Sequence, residues 1–228
     1  MSLSIIIPAL NEAGNIPALL ASLQPLRQRG AEVVVVDGGS CDPTASLAHD
    51  GADRVITSDP GRAKQMNAGA AAANGEILCF LHADSILPDG ADGLIINGLS
   101  RSQHSWGRFD VRITGNHPML GVIARLMNLR SRLTGIATGD QGMFVTRSLF
   151  EAAGRFPEIA LMEDIALSRA LKIYGPPLCI GHKLITSGRR WEKHGVWSTI
   201  LTMWRLRLAY WLGADPDRLA ARYARHHS

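Results

Sequence analysis

Glu76-Ile77-Leu78-Cys79-Phe80-Leu81-His82-Ala83-Asp84 is the stretch whose reading decides the fold. Its five consecutive apolar residues, 77–81, follow Asn74-Gly75 and run straight into polar ones, the pattern of a strand buried on both faces. A carboxylate just past the C-terminal end of a central strand stands where open α/β sheets bind their ligands. By itself Asp84 reads equally as a solvated strand end, and the surrounding chain decides between the two.

Upstream, the same design recurs. Residues 4–7 form a short β-branched strand ending in Pro8-Ala9-Leu10-Asn11-Glu12, and apolar residues at 16, 19, 20, 23 and 26 give residues 14–29 a helical period closed by Gly30. Residues 32–36 read as a second buried strand, ending in Asp37-Gly38-Gly39-Ser40-Cys41-Asp42-Pro43-Thr44. Asp42 suits an N-cap there and Pro43 the first helical position. A third strand at 54–57 and an alanine-rich helix after Gly61 lead into the opening stretch. Strand and helix alternate, so right-handed crossovers build a parallel, doubly wound sheet. Asn11, Glu12, Asp37 and Asp84 then converge on one edge of it. The first turn is not GxGxxG and no GxxxxGK[ST] follows, which sets aside the dinucleotide-binding and phosphate-loop versions of this sheet.

The composition is that of one globular domain: 228 residues, 46% hydrophobic and 19% charged. Three cysteines, at 41, 79 and 179 with no CxxC, argue against a disulfide framework or a structural zinc site and suit a reducing cytosol. The apolar run 3–10 lacks a basic leader and contains Pro8, so it reads as the first strand and not as a signal peptide. Charge is concentrated late: residues 189–228 carry eight Lys/Arg against three Asp/Glu, together with Trp191, Trp197, Trp204 and Trp211. A basic, tryptophan-bearing end suits an anionic surface. No nucleic-acid-binding signature accompanies it, so a membrane surface is the preferred partner over nucleic acid.

The second half continues with an alternating strand at 106–114 and a basic amphipathic helix at 119–133 carrying Arg125, Arg130 and Arg132. Such a helix packs on the core with a solvated face, or meets a membrane or acceptor. A glycine-rich turn enters a strand at 138–145, a helix starts at Met162-Glu163-Asp164 and runs to 174, and residues 183–186 are strand-like before Ser187-Gly188-Arg189-Arg190-Trp191. Residues 196–212 form a one-sided apolar helix interrupted by Arg205 and Arg207. A spanning helix needs ~20 mostly apolar residues, so this one is expected to lie on a membrane or pack on the domain. A short last helix covers 217–225.

Taken in order, the stretches 4–12, 35–44, 61–69, Phe80-Leu81-His82-Ala83-Asp84, Gly139-Asp140-Gln141-Gly142-Met143-Phe144 and Met162-Glu163-Asp164-Ile165 resemble the family-two glycosyltransferases of the GT-A fold. The likeness covers the first three quarters of the chain, and the arginine–tryptophan tail is similar to a bacterial subgroup of small single-domain transferases. The resemblance implies an α/β, Rossmann-like, doubly wound and mostly parallel sheet with helices on both faces, plus a C-terminal amphipathic helix. It implies a domain over 1–195, with 1–101 the nucleotide-binding half and 102–195 the acceptor-side half, and a basic helical tail over 196–228.

It also implies an inverting, metal-assisted enzyme that moves a sugar from a nucleotide-diphosphate sugar to an acceptor hydroxyl. Pro8, Asn11, Glu12 and Asp37 would line the nucleoside, since a carboxylate accepts from base or ribose donors. Arg62, Lys64 and Asn67 would meet base, ribose or diphosphate, the alternative for the two cations being a solvated helix start. Asp84 matches the last acid of the family's DxD motif and would bind Mg²⁺ or Mn²⁺ bridging the donor phosphates, with Ala83 beside it. His82 stands where the first acid usually does, and would meet ribose or phosphate or ligate Mn²⁺. Asp140 and Gln141 match the acceptor-side loop, Arg189, Arg190 and Trp191 would hold diphosphate or acceptor, and His182 and His194 flank them. Asp164 matches the general base, with Glu163 positioning the site; the alternative for both is partnership with the helix dipole. The family mildly favours a UDP-sugar, with a GDP-sugar the alternative; the basic, tryptophan-bearing end of this chain adds the expectation of a lipid or lipid-linked acceptor reached at the cytoplasmic membrane face. A nucleotidyltransferase would want a glycine-rich Arg/Lys loop after the first strand, which is missing. A catalytically silent, membrane-docking nucleotide-sugar binder is the remaining alternative.

Overall fold

A computed structural model gives the architecture, and it describes residues 1–227 apart from the side chains of Arg190, His194 and 224–227. Eight strands form one sheet: β1 Leu3–Ala9, β2 Glu32–Asp37, β3 Arg54–Thr57, β4 Ile77–Phe80, β5 Ser85–Ile86, β6 Trp106–Thr114, β7 Phe144–Thr146 and β8 Leu178–Ser187, in the order β3-β2-β1-β4-β7-β6-β8-β5. The helices are α1 Ile16–Gln28, α2 Thr44–Ala48, α3 Arg62–Ala72, α4 Ala91–Ser100, α5 Met119–Thr134, α6 Arg147–Ala152, α7 Glu163–Lys172, α8 Arg189–His194, α9 Val196–Trp211 and α10 Pro216–His227.

The apolar strands explain the layers. Successive side chains of a strand point to opposite faces. Ile5 and Ile7, Val33 and Val35, and Ile77 and Cys79 face one core with α1, α4 and α5. Ile6, Val34, Val36, Leu78 and Phe80 face the other, with α3, α6 and α7. Both faces are therefore covered, and unbroken apolar runs are what such strands need. β3, β2, β1 and β4 are parallel, and the register Ala9↔Asp37 and Ile6↔Phe80 brings the C-terminal ends of β2, β1 and β4 to one edge.

Beyond β4 the sheet departs from the all-parallel expectation. β7 runs antiparallel between β4 and β6, and β5 pairs antiparallel with β8, while β6 and β8 are parallel. Helices α4, α6 and α8 and strand β5 were not foreseen, and β8 starts earlier than the 183–186 reading. One unforeseen side chain ties this half to the first. Arg147, opening α6, donates to the carbonyls of Ala70, Ala73 and Gly75, at 2.7, 2.7 and 2.9 Å. A guanidinium there satisfies the orphan carbonyls at the end of α3.

The C-terminal helices pack on the rest through one face. Leu206 of α9 and Leu219 of α10 are buried with Met162 and Ile165, and the Arg169 guanidinium lies 5.3 Å from the ring centre of Tyr210. The opposite face of α9 is open. Among the described residues, no helix is long and apolar enough to cross a membrane.

Candidate active site

The floor of the site is two interlocked loops. The loop after β1 turns at Asn11, whose φ of 54° is a conformation that asparagine tolerates better than most residues. The Asn11 N–H donates to Ser40 Oγ at 2.9 Å and its Oδ1 accepts from the Cys41 N–H at 2.9 Å. Asp37 is 5% exposed, and its carboxylate accepts from the N–H groups of Gly39 and Ser40 and from Ser40 Oγ. Thr44 Oγ1 accepts from the Glu12 N–H, and Asp42 from the Ala13 N–H. Glu12 itself accepts from Asn15 Nδ2 at 2.6 Å. Beneath them the buried amide of Gln65, on α3, donates to Ala9 O and Val36 O at 2.8 and 3.0 Å. Two strand ends are thereby fixed to one helix.

The same helix reaches the opposite wall. Arg62 Nη1 lies 3.4 Å from Glu163 Oε1, a link across 101 residues. Against the cost of dehydration, the carboxylates of Glu163, Asp140 and Asp164 hold the Arg62 pKa above its ordinary value. Glu163 and Asp164 form the first turn of α7, entered through Met162 at φ 72°. Glu163 is buried. Asp164 is half-buried, and its Oδ2 accepts from the Gly139 N–H at 2.9 Å. Burial first, then the neighbouring charge of Glu163, raises the Asp164 carboxyl from 3.8 to about 6, against the pull of the Gly139 and Ile165 N–H groups and of Arg62. A carboxylate tuned upward in a cleft has the properties of a general base near neutral pH.

His82 joins this wall to the end of β4. Its Nδ1 is 3.4 Å from Asp140 Oδ1, while its buried Nε2 has no hydrogen-bond partner among the described residues. The ring lies so close to Gly139 that a β-carbon there would stand 2.3 Å from Nε2. His82, Gly139, Glu163 and Asp164 line one narrow cleft, with Phe80 and Phe156 as apolar walls.

Asp84 follows two residues after His82. It takes part in no ion pair among the described residues, and its one described side-chain contact is a weak 3.5 Å approach from Ser85 Oγ. That hard oxygen donor fits Mg²⁺ or Mn²⁺. The described residues contain no cluster of three His, Cys, Asp or Glu that could hold a metal.

Several residues expected at the site have partners within the fold. The Asn67 carboxamide closes on the backbone of Phe156, donating to its carbonyl and accepting from its N–H, at 2.9 and 3.1 Å. Gln141 is fully buried, with its Oε1 capping the Thr138 N–H, so it shapes the Gly139–Gln141 turn. Lys64 pairs with Asp59 at 3.2 Å. Trp191 packs against the core on the α1 side, where sugar stacking was expected. Arg189 is exposed at the start of α8, His182 is exposed on β8, and the side chains of Arg190 and His194 lie outside the described residues. Pro8 is half-buried near the end of β1, and Ala83 is buried beside His82. Sequence reasoning did not single out Arg130 of α5, whose pKa dehydration holds below its ordinary value while the charges of Asp164 and Asp140 oppose that; only its basic character on an amphipathic helix was visible.

Residues 4–150 match the family model of glycosyl transferase family 2. A PGL/p-HBAD biosynthesis glycosyltransferase of Mycobacterium tuberculosis is 42% identical over 91 residues, 37% of this chain and 36% of that protein. The chain covers about two fifths or less of the length of such curated relatives. Among solved structures, S. aureus TarS in complex with UDP-GlcNAc superposes with a TM-score of 0.68 at 18% identity, over 82% of this chain and 58% of that one. The mannosyltransferase PcManGT from Pyrobaculum calidifontis, in complex with GDP-Man and Mn²⁺, gives 0.64 at 22% identity, over 99% and 69%. With nearly two thirds of its length matched by the family model, the chain belongs to glycosyl transferase family 2.

Proposed function

We propose that the chain transfers a sugar from a nucleotide-diphosphate sugar to an acceptor hydroxyl with inversion, using Asp164 as general base. The observation that carries this reading is that Asp164 lines the cleft beside His82, its Oδ2 held by the Gly139 N–H at 2.9 Å; burial there raises its carboxyl to about 6. In the reaction, Asp164 takes the proton of the acceptor hydroxyl as its oxygen bonds to the anomeric carbon. The bond from that carbon to the diphosphate oxygen breaks, and the nucleoside diphosphate leaves with the electron pair. Inversion needs one base on the face opposite the leaving group. Glu163, held by Arg62, fixes the first turn of α7 and keeps Asp164 in place. Asp84 would hold Mg²⁺ or Mn²⁺, which when bound neutralises charge on the departing diphosphate. The loops after β1 and β2, locked by Asn11 and Asp37, offer a rigid edge for the nucleoside, with uridine preferred.

Binding of a donor stabilises the folded chain by mass action, about 2.7 kcal/mol at a hundredfold excess over Kd. The correct nucleotide sugar with Mn²⁺ is expected to raise Tm by about 5–10 °C. Asp84→Asn is expected to lose the Mn²⁺-dependent part of that shift. A chain that no nucleotide sugar stabilises, or an Asp84→Asn variant indistinguishable from the parent, contradicts the reading.

We propose that the open face of α9 meets an anionic lipid surface, with the reaction at the cytoplasmic membrane face on a lipid or lipid-linked acceptor. Trp197, Leu201, Trp204, Leu208 and Trp211 follow one helical stripe and are all exposed, Trp204 by 75%. The surrounding segment has eight basic residues against three acidic ones, complementary to anionic headgroups. Vesicles of phosphatidylglycerol are expected to carry the chain in flotation at least tenfold better than phosphatidylcholine, and Trp204→Ser with Trp211→Ser to abolish that. Failure to float, or concentration-dependent dimers through the same face, refutes the assignment.

A further inference from the structure

Arg130 sits on the inner side of α5, and its Nε and Nη2 are sealed from solvent without a hydrogen-bond partner among the described residues. These two atoms are the edge of a guanidinium that receives a carboxylate or phosphate through two parallel hydrogen bonds. Buried donors are nearly always satisfied, so an unfilled pair on a charged group marks the place of an absent acceptor. A second cation stands close by. Arg108 is fully buried on β6, its Nη1 bonded to Asp110 and the Phe109 carbonyl and its Nη2 to the Asn128 carbonyl, with Nε unfilled. Asp110 is shared between Arg108 and Arg132. Dehydration, with the Arg108 charge added, works against the Arg130 charge, while Asp164 and Asp140 favour it. The carboxylates that favour the Arg130 charge are those of Asp164 and Asp140.

We propose that Arg130 presents its Nε–Nη2 edge to an oxyanion on the acceptor, so that the acceptor is a hydroxyl compound bearing a carboxylate or phosphate. The inference rests on Asp164 being the base that meets the acceptor hydroxyl, and it adds the chemical class of the molecule that brings it. The anion is held beside the wall that carries Asp164, and that fixes the hydroxyl relative to the base. A phosphate could belong to a soluble sugar or polyol phosphate or to a lipid headgroup; both present the same oxygens to the fork.

The test keeps the donor's diphosphate site filled. The chain is saturated with UDP and Mn²⁺, and glycerol 3-phosphate, glycerate and glycerol are titrated in with Tm as the readout. The two anions are expected to stabilise saturably and glycerol not at all. Arg130→Gln and Arg130→Lys are expected to weaken the anions at least tenfold, with UDP affinity held within a factor of two. Lysine keeps the charge and loses the fork, so it also serves if Arg130→Gln folds poorly. Vesicles of phosphatidylglycerol replacing glycerol 3-phosphate separate the sources: stabilisation that needs Arg130 and appears only with vesicles assigns a lipid headgroup, and with the soluble acid alone a soluble acceptor. Anion binding that ignores Arg130, or an Arg130→Gln variant that loses UDP and not the anions, overturns the proposal. A parent chain that binds no nucleoside diphosphate refutes the glycosyl-transfer reading instead, and the same titrations on the unliganded chain still decide whether Arg130 holds the anion.

Discussion

Replacing Asp164 with Asn is expected to lower sugar transfer by about a hundred- to ten-thousandfold while leaving nucleoside diphosphate affinity within a few-fold. The amide keeps an oxygen for the Gly139 N–H but cannot take a proton. In the parent chain, transfer is expected to fall on the acid side as the Asp164 carboxyl, raised to about 6 by burial and by the neighbouring charge of Glu163, takes up a proton. The same substitution should stabilise the fold. A carboxyl raised from 3.8 to about 6 favours folding while protonated, and that advantage is lost as pH rises through about 6. Ionised Asp164 therefore weakens the native state at neutral pH by roughly 1–3 kcal/mol, and Asp164→Asn is expected to raise Tm by several degrees at pH 7.5, a gain that fades toward pH 4. A nucleotide-sugar binder without catalysis would show the stability gain and no transfer to lose. Steady-state rates and melting curves across pH measure both effects.

Gly139→Ala is expected to damage stability and activity together. The added β-carbon would stand 2.3 Å from His82 Nε2 and 2.4 Å from its Cε1, far inside contact distance, so the ring or the turn must move. Overpacking of this kind costs about 1–3 kcal/mol, a Tm fall of several degrees. The Gly139 N–H is a donor to Asp164, and His82 directly precedes Ala83 and Asp84, so the shift reaches both chemical ends of the cleft. Transfer is expected to fall at least tenfold beyond what lower stability explains, measured well below Tm. His82→Ala in the Gly139→Ala background makes room for the methyl group and is expected to recover most of the lost stability. An alanine variant with parental Tm and rate would refute the packing described.

The first half of the chain was legible because its information is local. Runs such as 33–36 and 77–81 announce strands buried on both faces, and their polar ends fall on one edge once the strands are parallel. The second half depends on pairings that no period reveals. β7 is three residues long and antiparallel between two strands far away in sequence. Helix α4 carries Gly93 and Gly98, which weaken a helical reading, yet a β-carbon at Gly98 would meet Leu178 at 2.6 Å, so the glycine serves close packing. At the site, acidic residues could be read off strand and helix ends, whereas their partners could not. Arg62 meets Glu163 across the whole fold, and Asn67 and Gln141, polar residues in motif-like positions, are consumed by the backbone of Phe156 and Thr138. Residue type locates chemistry in this chain; only packing shows which polar groups are left free to perform it.

The most direct test is an anomalous-scattering map of crystals grown with UDP and Mn²⁺. The expected map has one manganese peak coordinated by Asp84 and the diphosphate, with the nucleoside at the ends of β1 and β2 and Asp164 opening on the same cleft. A peak remote from Asp84, or a nucleotide bound away from those strand ends, would contradict the account.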